Sequence, residues 1–155
     1  MKTDTTRQLG GIMLLMGLLG WIGCAGQRPT DIGVRDARLA PCPSSPNCVS
    51  SDAKSGDAHQ IAPLPLRGTV QDGWNAARAA VAALPRTEIV QESEGYLHAE
   101  CTSALVGYVD DLELHLRADE GEIAVRSASR IGYSDMGVNR ARIEELRSKL
   151  EAAGS

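Results

Sequence analysis

The stretch Val109-Asp110-Asp111-Leu112-Glu113-Leu114-His115-Leu116-Arg117, followed by Ala118-Asp119-Glu120-Gly121 and then Glu122-Ile123-Ala124-Val125-Arg126-Ser127-Ala128-Ser129-Arg130, decides the fold. Leu112, Leu114 and Leu116 alternate with Asp111, Glu113, His115 and Arg117. A period of two is the signature of a strand with one apolar and one polar face. The strand is expected over Val106–Arg117. Its neighbour is expected over Glu122–Arg130, with Ile123 and Val125 inward. Asp119-Glu120-Gly121 between them is a hairpin turn signal. Working back, Tyr96–Thr102 alternates in the same way, with Leu97, Ala99 and Cys101 on one face, and Glu88–Glu92 is a shorter strand. Four strands in a row with short connections form an antiparallel meander.

Two helices flank the meander. Thr69 is a plausible N-cap, with Asp72 three residues on as an approximate capping box. Val70, Trp74, Ala77, Val81 and Leu84 recur at helical spacing until Pro85 stops the run. The second helix is expected over Val138–Ala152, with Ile143, Leu146 and Leu150 on its apolar stripe. Ile61–Leu66 carries Pro63 and Pro65, so it can be only an edge strand or an extended lead-in. The expected fold is α+β: a two-layer sandwich of an antiparallel sheet of about four strands with two helices on one face.

The amino terminus reads as a bacterial lipoprotein signal. Lys2 and Arg7 precede a charge-free apolar run, Leu9 to Gly23, with Cys24 directly after it. The run is shorter than the roughly 20 residues that span a bilayer, and it contains five glycines. A cationic start, a short apolar centre and a small residue at the cut are the parts of a signal peptide. Trp21-Ile22-Gly23-Cys24 looks like the lipoprotein pattern of Leu, a small or branched residue, Gly or Ala, then Cys, with Trp21 as a departure. An ordinary secretory signal and an uncleaved anchor helix are the rival readings. Residues 1–23 are then a lipoprotein signal peptide, 24–38 a flexible tether, and 39–152 one globular domain. Cys24 is the lipidation site, and the protein faces the periplasm from a bacterial membrane. By resemblance to enterobacterial sorting rules, Ala25 after the lipid-bearing Cys favours the outer membrane.

Composition narrows the function classes. Without Lys2, Arg7 and Asp4, the 132-residue mature chain keeps 14 basic and 19 acidic side chains, a net charge of −5. That argues against nucleic acid, which needs a basic patch, and against polybasic contact with anionic lipid. The mature chain has no Phe and only Trp74, Tyr96, Tyr108 and Tyr133 as aromatics, so its core must come from Leu, Ile, Val and Ala. Cys42 and Cys48 bracket Pro43-Ser44-Ser45-Pro46-Asn47. A disulfide there closes a small ring, worth roughly 2 kcal/mol of chain entropy. Zinc is the rival reading, for which a spacing of five without a second pair is poor. Cys101 is left over. No metal and no cofactor are expected.

Polar residues crowd the third and fourth strands and the loop beyond them. Glu100, Asp110, Asp111, Glu113, Arg126, Ser129, Arg130, Tyr133, Asp135, Asn139 and Arg140 are the candidate ligand-binding set. By parity Asp110 shares the apolar face, as do Ser127 and Ser129. A carboxylate there needs a partner, and Arg130 and Arg140 are the candidates. On the other face Glu100, Asp111 and Glu113 can meet Arg126 and Arg130 across the sheet. One reading is a solvated salt-bridge face with a structural buried pair. Another is a pocket for a small polar or anionic ligand with arginine forks as donors. Catalysis is the least supported, and no catalytic residue is assigned. Ser127 and Ser129 lie in a strand rather than a nucleophile elbow, and His59, His98 and His115 have no spacing that demands contact with them.

Several motifs carry a resemblance. Ala40-Pro41-Cys42-Pro43-Ser44-Ser45-Pro46-Asn47-Cys48-Val49-Ser50-Ser51 resembles the opening motif of the domain of unknown function 1499 family. Tyr96-Leu97-His98-Ala99-Glu100 and Val109-Asp110-Asp111-Leu112-Glu113 resemble its strands. Arg126-Ser127-Ala128-Ser129-Arg130-Ile131-Gly132-Tyr133-Ser134-Asp135-Met136-Gly137-Val138-Asn139-Arg140 resembles its longest motif. The likeness covers about Leu39 to Leu150. Members usually carry Phe near the Val-Asp-Asp segment, where this chain has Val106-Gly107-Tyr108. The resemblance implies membrane or envelope association and no particular chemistry. The expected function is a lipid-anchored accessory domain that binds a small ligand or an envelope partner. A serine-dependent hydrolase and a structural subunit of a membrane assembly are the alternatives.

Overall fold

In a computed structural model of the chain, the structure describes residues 25–153. Its elements, in order, are β1 (Val34–Arg35), β2 (Arg38–Leu39), β3 (Cys48–Ser50), β4 (Leu64–Pro65), α1 (Val70–Ala82), β5 (Thr87–Ser93), β6 (Tyr96–Thr102), β7 (Val109–Arg117), β8 (Glu122–Ser129) and α2 (Val138–Ala153). The protein is α+β. Strands β5 to β8 form the expected meander, and β6 pairs with β7 from Tyr96↔His115 to Thr102↔Val109.

The sheet has six strands, not four. β3 and β4 both add antiparallel to β8, through Cys48↔Ala128 to Ser50↔Arg126 and through Leu64↔Ile123. Both are too short to show a period. Leu64 also sits between two prolines, tolerable here because the strand holds only two residues. Cys42 and Cys48 are disulfide-bonded, which fixes the loop at the mouth of β3. Cys101 is free and buried.

Local signals explain the boundaries. Thr69 Oγ1 accepts from Asp72 N at 3.1 Å and donates to Asp72 Oδ2 at 2.6 Å, opening α1 as its sequence requires. β7 begins at Val109 rather than Val106, because Ser103 N bonds Tyr108 O and Tyr108 N bonds Ser103 Oγ, turning 103–108 into a closed loop. A short 3-10 turn, Ala118–Glu120, links β7 to β8 and ends at Gly121 with φ 67°.

One face of the sheet carries the main core. Leu97, Ala99, Leu112, Leu114, Ile123 and Val125 from the strands join Trp74, Ala77 and Val81 of α1 and Ile143, Leu146 and Leu150 of α2 in one cluster. The opposite face is not solvated. His98, Asp111, Glu113 and Arg126 on it are buried. Its cover is the amino-terminal stretch read as a tether. From Ala25 on, that stretch lies against the sheet, with Gly33 N donating to Glu113 and Leu39 packing on Tyr96 and Ala124. The hairpin of β1 and β2 closes this cover, with Asp36 and Ala37 both at positive φ. Cys24 and the signal segment before it lie outside the described residues.

Candidate functional site: two charged networks on either side of the sheet

The first network occupies the covered polar face. Glu113, fully buried on β7, accepts from Tyr96 Oη at 2.9 Å, from Gly33 N at 2.7 Å and from Arg126 Nη1 at 3.0 Å. Next along the strand, Asp111 accepts from Arg130 Nε at 2.9 Å and contacts His98 Nε2 at 2.7 Å. Glu100, opposite Asp111, pairs with Arg130 and with Arg28 of the cover. Strand register places these groups. Glu100↔Asp111, His98↔Glu113 and Glu113↔Arg126 are direct cross-strand partners, so the charges stand side by side.

The network sets its own protonation. Burial alone would raise the Asp111 carboxyl, but hydrogen bonds from His98 and Arg130 and the Arg130 charge outweigh it and hold the group low. Glu100 is also held low, against burial, by Arg28 and Arg130. Hydrogen bonding to Asp111 and Glu100 raises Arg130. Tyr96 is pushed up by burial and by the adjacent Glu113, so its hydroxyl remains a donor.

The second network lies on the core side, where β8 meets α2 and the disulfide loop. Asp110 does point to the core side, but its partner is Arg142, with Nη2 to Oδ2 at 2.7 Å, and neither Arg130 nor Arg140. Arg130 follows the alternation to the opposite face, and Arg140 donates to the Ala58 carbonyl. Asn139, fully buried, is the hub. It donates to Asn47 O and Ser129 Oγ, each at 3.0 Å, and accepts from Ser127 Oγ at 2.6 Å. Arg142 Nη1 donates to Ser127 Oγ and to Asn139 Oδ1. Asp135 accepts from Gly137 N and Asn139 N and so opens α2. Burial would raise its carboxyl; those backbone donors hold it low.

Of the candidate residues, Glu100, Asp111, Glu113, Arg126 and Arg130 are brought together on the polar face. Asp110, Ser129, Asp135 and Asn139 are brought together on the other. Arg140 joins neither network, and Tyr133 stands three-quarters exposed on the β8–α2 loop. The sequence reading missed Tyr96, His98, Arg28, Asn47 and Arg142. Arg142 had a signal, since it lies three positions after Asn139 and shares its helix face. Arg28 and Asn47 lie in irregular chain, where no period points at a partner.

The imidazoles do not engage the serines. His98 bonds Asp111, and His59 Nδ1 bonds the Cys48 carbonyl. Among the described residues no group of His, Cys, Asp and Glu could hold a metal ion. A cleft of about 380 Å³ opens beside the second network, lined by Arg86, Thr102, Ser103, Asp110, Arg142 and Cys101 among others. Burial pushes the Cys101 thiol up, despite Arg142 nearby, so it sits there as a neutral thiol.

No curated protein and no solved structure matches this chain. Residues 38–150 match the family described as Protein of unknown function (DUF1499). The match spans the disulfide loop, the six strands of the main sheet, α1 and α2 as far as Leu150, well over half of the chain, so the chain belongs to that family.

Proposed function

We propose that this protein is a lipid-anchored accessory domain of the bacterial envelope, held to the membrane at Cys24, that binds a small polar ligand rather than transforming one. The observation that carries the reading is the cleft beside Asp110 and Arg142. Its floor is an ion pair whose two side chains are each 12% exposed, and its rim carries the exposed Arg86. A site of that kind suits a small ligand with both donor and acceptor groups. The charged groups of the polar face, by contrast, are committed to one another and to the amino-terminal cover. They support a structural role, although Arg126 Nε on that face is buried without a partner among the described residues. No imidazole is placed to activate Ser127 or Ser129, which favours binding over hydrolysis.

The test is native mass spectrometry of the full chain extracted in mild detergent, beside Arg86→Ala. A small molecule that co-purifies with the wild type and is lost from the folded variant supports the cleft as a binding site. A wild-type chain that carries no adduct, and whose thermal unfolding no small polar compound shifts, overturns the reading.

A further inference from the structure

We infer that the loop end of the sheet is a membrane-docking face, seated on the apolar boundary of the bilayer that anchors the chain. The inference rests on the proposed anchor at Cys24.

Two loops meet at this end. The β6–β7 loop presents Leu105, Val106 and Tyr108, and the β8–α2 loop presents Ile131, Tyr133 and Met136. They are neighbours in space. Asp110 pairs with Ser129 at the strand ends, and Arg130 N donates to Val109 O at 3.2 Å where the loops begin. Leu105 is 97% exposed, Met136 95% and Tyr133 75%. Single exposed apolar residues are ordinary, but six on two adjoining loops form a patch of the kind that marks an interaction surface. The patch is also held in place. Met136 sits at φ 53°, with its N–H on Ser134 Oγ, and the next residues are fixed by Asp135. The turn therefore thrusts its methionine outward from a stiff base.

The course of the chain identifies the occupant. Gly26 lies against the start of the β8–α2 loop. A Cβ added there would stand 2.8 Å from Arg130 Cβ and 3.0 Å from Ile131 Cγ2. Two residues of extended chain reach at most about 7 Å, so an anchor at Cys24, joined to Gly26 through so short a link, ties this end of the sheet, and not the opposite end, to the bilayer. A lipid on that sulfur, or the apolar run Leu9–Gly23 itself, brings the bilayer to the same place. Tyr and Leu side chains on loops beside an anchor suit the interfacial zone, where an apolar body and a polar tip are both satisfied. The mature chain's net charge of −5 argues against a polybasic mode, so seating should depend on apolar insertion and not on anionic lipid. Val138 and Ala104 border both the patch and the 380 Å³ cleft, so docking places the cleft mouth at headgroup level.

The test uses the full chain reconstituted in phosphatidylethanolamine–phosphatidylglycerol vesicles whose acyl chains are brominated. Reporter tryptophans are introduced separately by Met136→Trp at the patch and by Glu94→Trp at the β5–β6 turn. The expected result is that Met136→Trp loses most of its added fluorescence to the bromines and Glu94→Trp loses none. That loss should persist in high salt and diminish when Leu105→Asp is added. Vesicle-bound protein in which Met136→Trp is not quenched, or in which Glu94→Trp is quenched instead, overturns the docking face and leaves the anchor standing. Protein that does not stay on the vesicles overturns the anchor, and the docking face with it. A detergent-solubilised dimer that Leu105→Asp dissolves, with no quenching on vesicles, assigns the patch to a second copy and overturns bilayer seating.

Discussion

At the scale of single residues, Glu113 shows how far a carboxylate can be buried when enough donors meet it, while its partner Arg126 keeps a buried Nε without an acceptor. Glu113 has no exposed surface, and three donors converge on its two oxygens. Removing Arg126 leaves a buried carboxylate with neutral donors only. Breaking one half of such a pair costs about 3–5 kcal/mol. Arg126→Ala should lower the denaturation free energy by that order, read from urea midpoints. A loss within the error of the midpoint would mean that the pair contributes little. Acid acts on the same network. Asp111, Glu100 and Asp135 are held below their usual range in the folded chain. Their stabilisation is complete above the unfolded carboxylate range, about pH 4, and is lost as pH falls through their lower folded values. Thermal unfolding temperature should drop steeply below that range, after a shallower decline that begins near pH 6.5, because burial and then Arg117 hold the His115 imidazole low and the unfolded chain takes up that proton first. In Asp111→Asn the drop should be shallower, since one of the three groups no longer titrates. Much of this was legible from parity alone. Alternation assigned Asp110 to one face and Glu100, Asp111 and Glu113 to the other, and it brought Arg126 and Arg130 to the acidic side. It could not show that this side is covered, because the covering residues, Arg28 and Gly33, sit in a stretch without periodicity.

At the scale of elements, α1 contains a glycine where helix propensity argues against one. Gly73 is buried at the second turn. A Cβ there would stand 2.6 Å from Leu66 Cδ1 and 2.8 Å from the Arg67 carbonyl oxygen. The carbonyl belongs to the backbone of the lead-in from β4 and has no rotamer to escape into. Ala is worth about 1 kcal/mol over Gly in an open helix, so the sign of the substitution separates the two effects. Gly73→Ala should destabilise, by roughly 1–3 kcal/mol for an overpacked contact; a gain in unfolding temperature would show that the lead-in can shift away. The four long strands and both helices announced themselves because their periods run over at least five residues. β3 and β4 hold three and two residues, and each earns its place by pairing with β8 rather than by its own pattern. The Cys42–Cys48 bridge was legible from its spacing, yet it gave no hint that the chain leaving it would pair with β8.

At the scale of the whole molecule, the sheet is covered twice, and the two covers differ in kind. The helical side is an apolar core with the Asp110, Ser127, Asn139 and Arg142 network at one end. The other side is closed by residues 25–39 through a few polar contacts and a small cluster of Leu39, Tyr96 and Ala124. Stability is therefore expected to be uneven, with the amino-terminal cover opening at a free energy well below that of the core. Gly33 is the pivot, because its N–H reaches Glu113 and its φ is 104°. Proline cannot supply that N–H or adopt that φ. Gly33→Pro should thus detach the cover and leave the helical core folded. The lost hydrogen bond to a charged acceptor is worth about 1.5–3 kcal/mol. Hydrogen exchange should rise across residues 28–39 and at Tyr96 and Glu113, while Leu146 and Val81 keep their protection. Protease should cut before Leu39 and not within α1. If exchange rises equally in both helices, the two covers form a single cooperative unit. The distinction bears on how the domain meets the membrane. While the cover is docked, only the few residues around Gly26 separate the proposed anchor from the loop end of the sheet. Once it opens, at least the 15 residues 25–39 separate Cys24 from the folded domain, and the loop face would no longer be held against the bilayer.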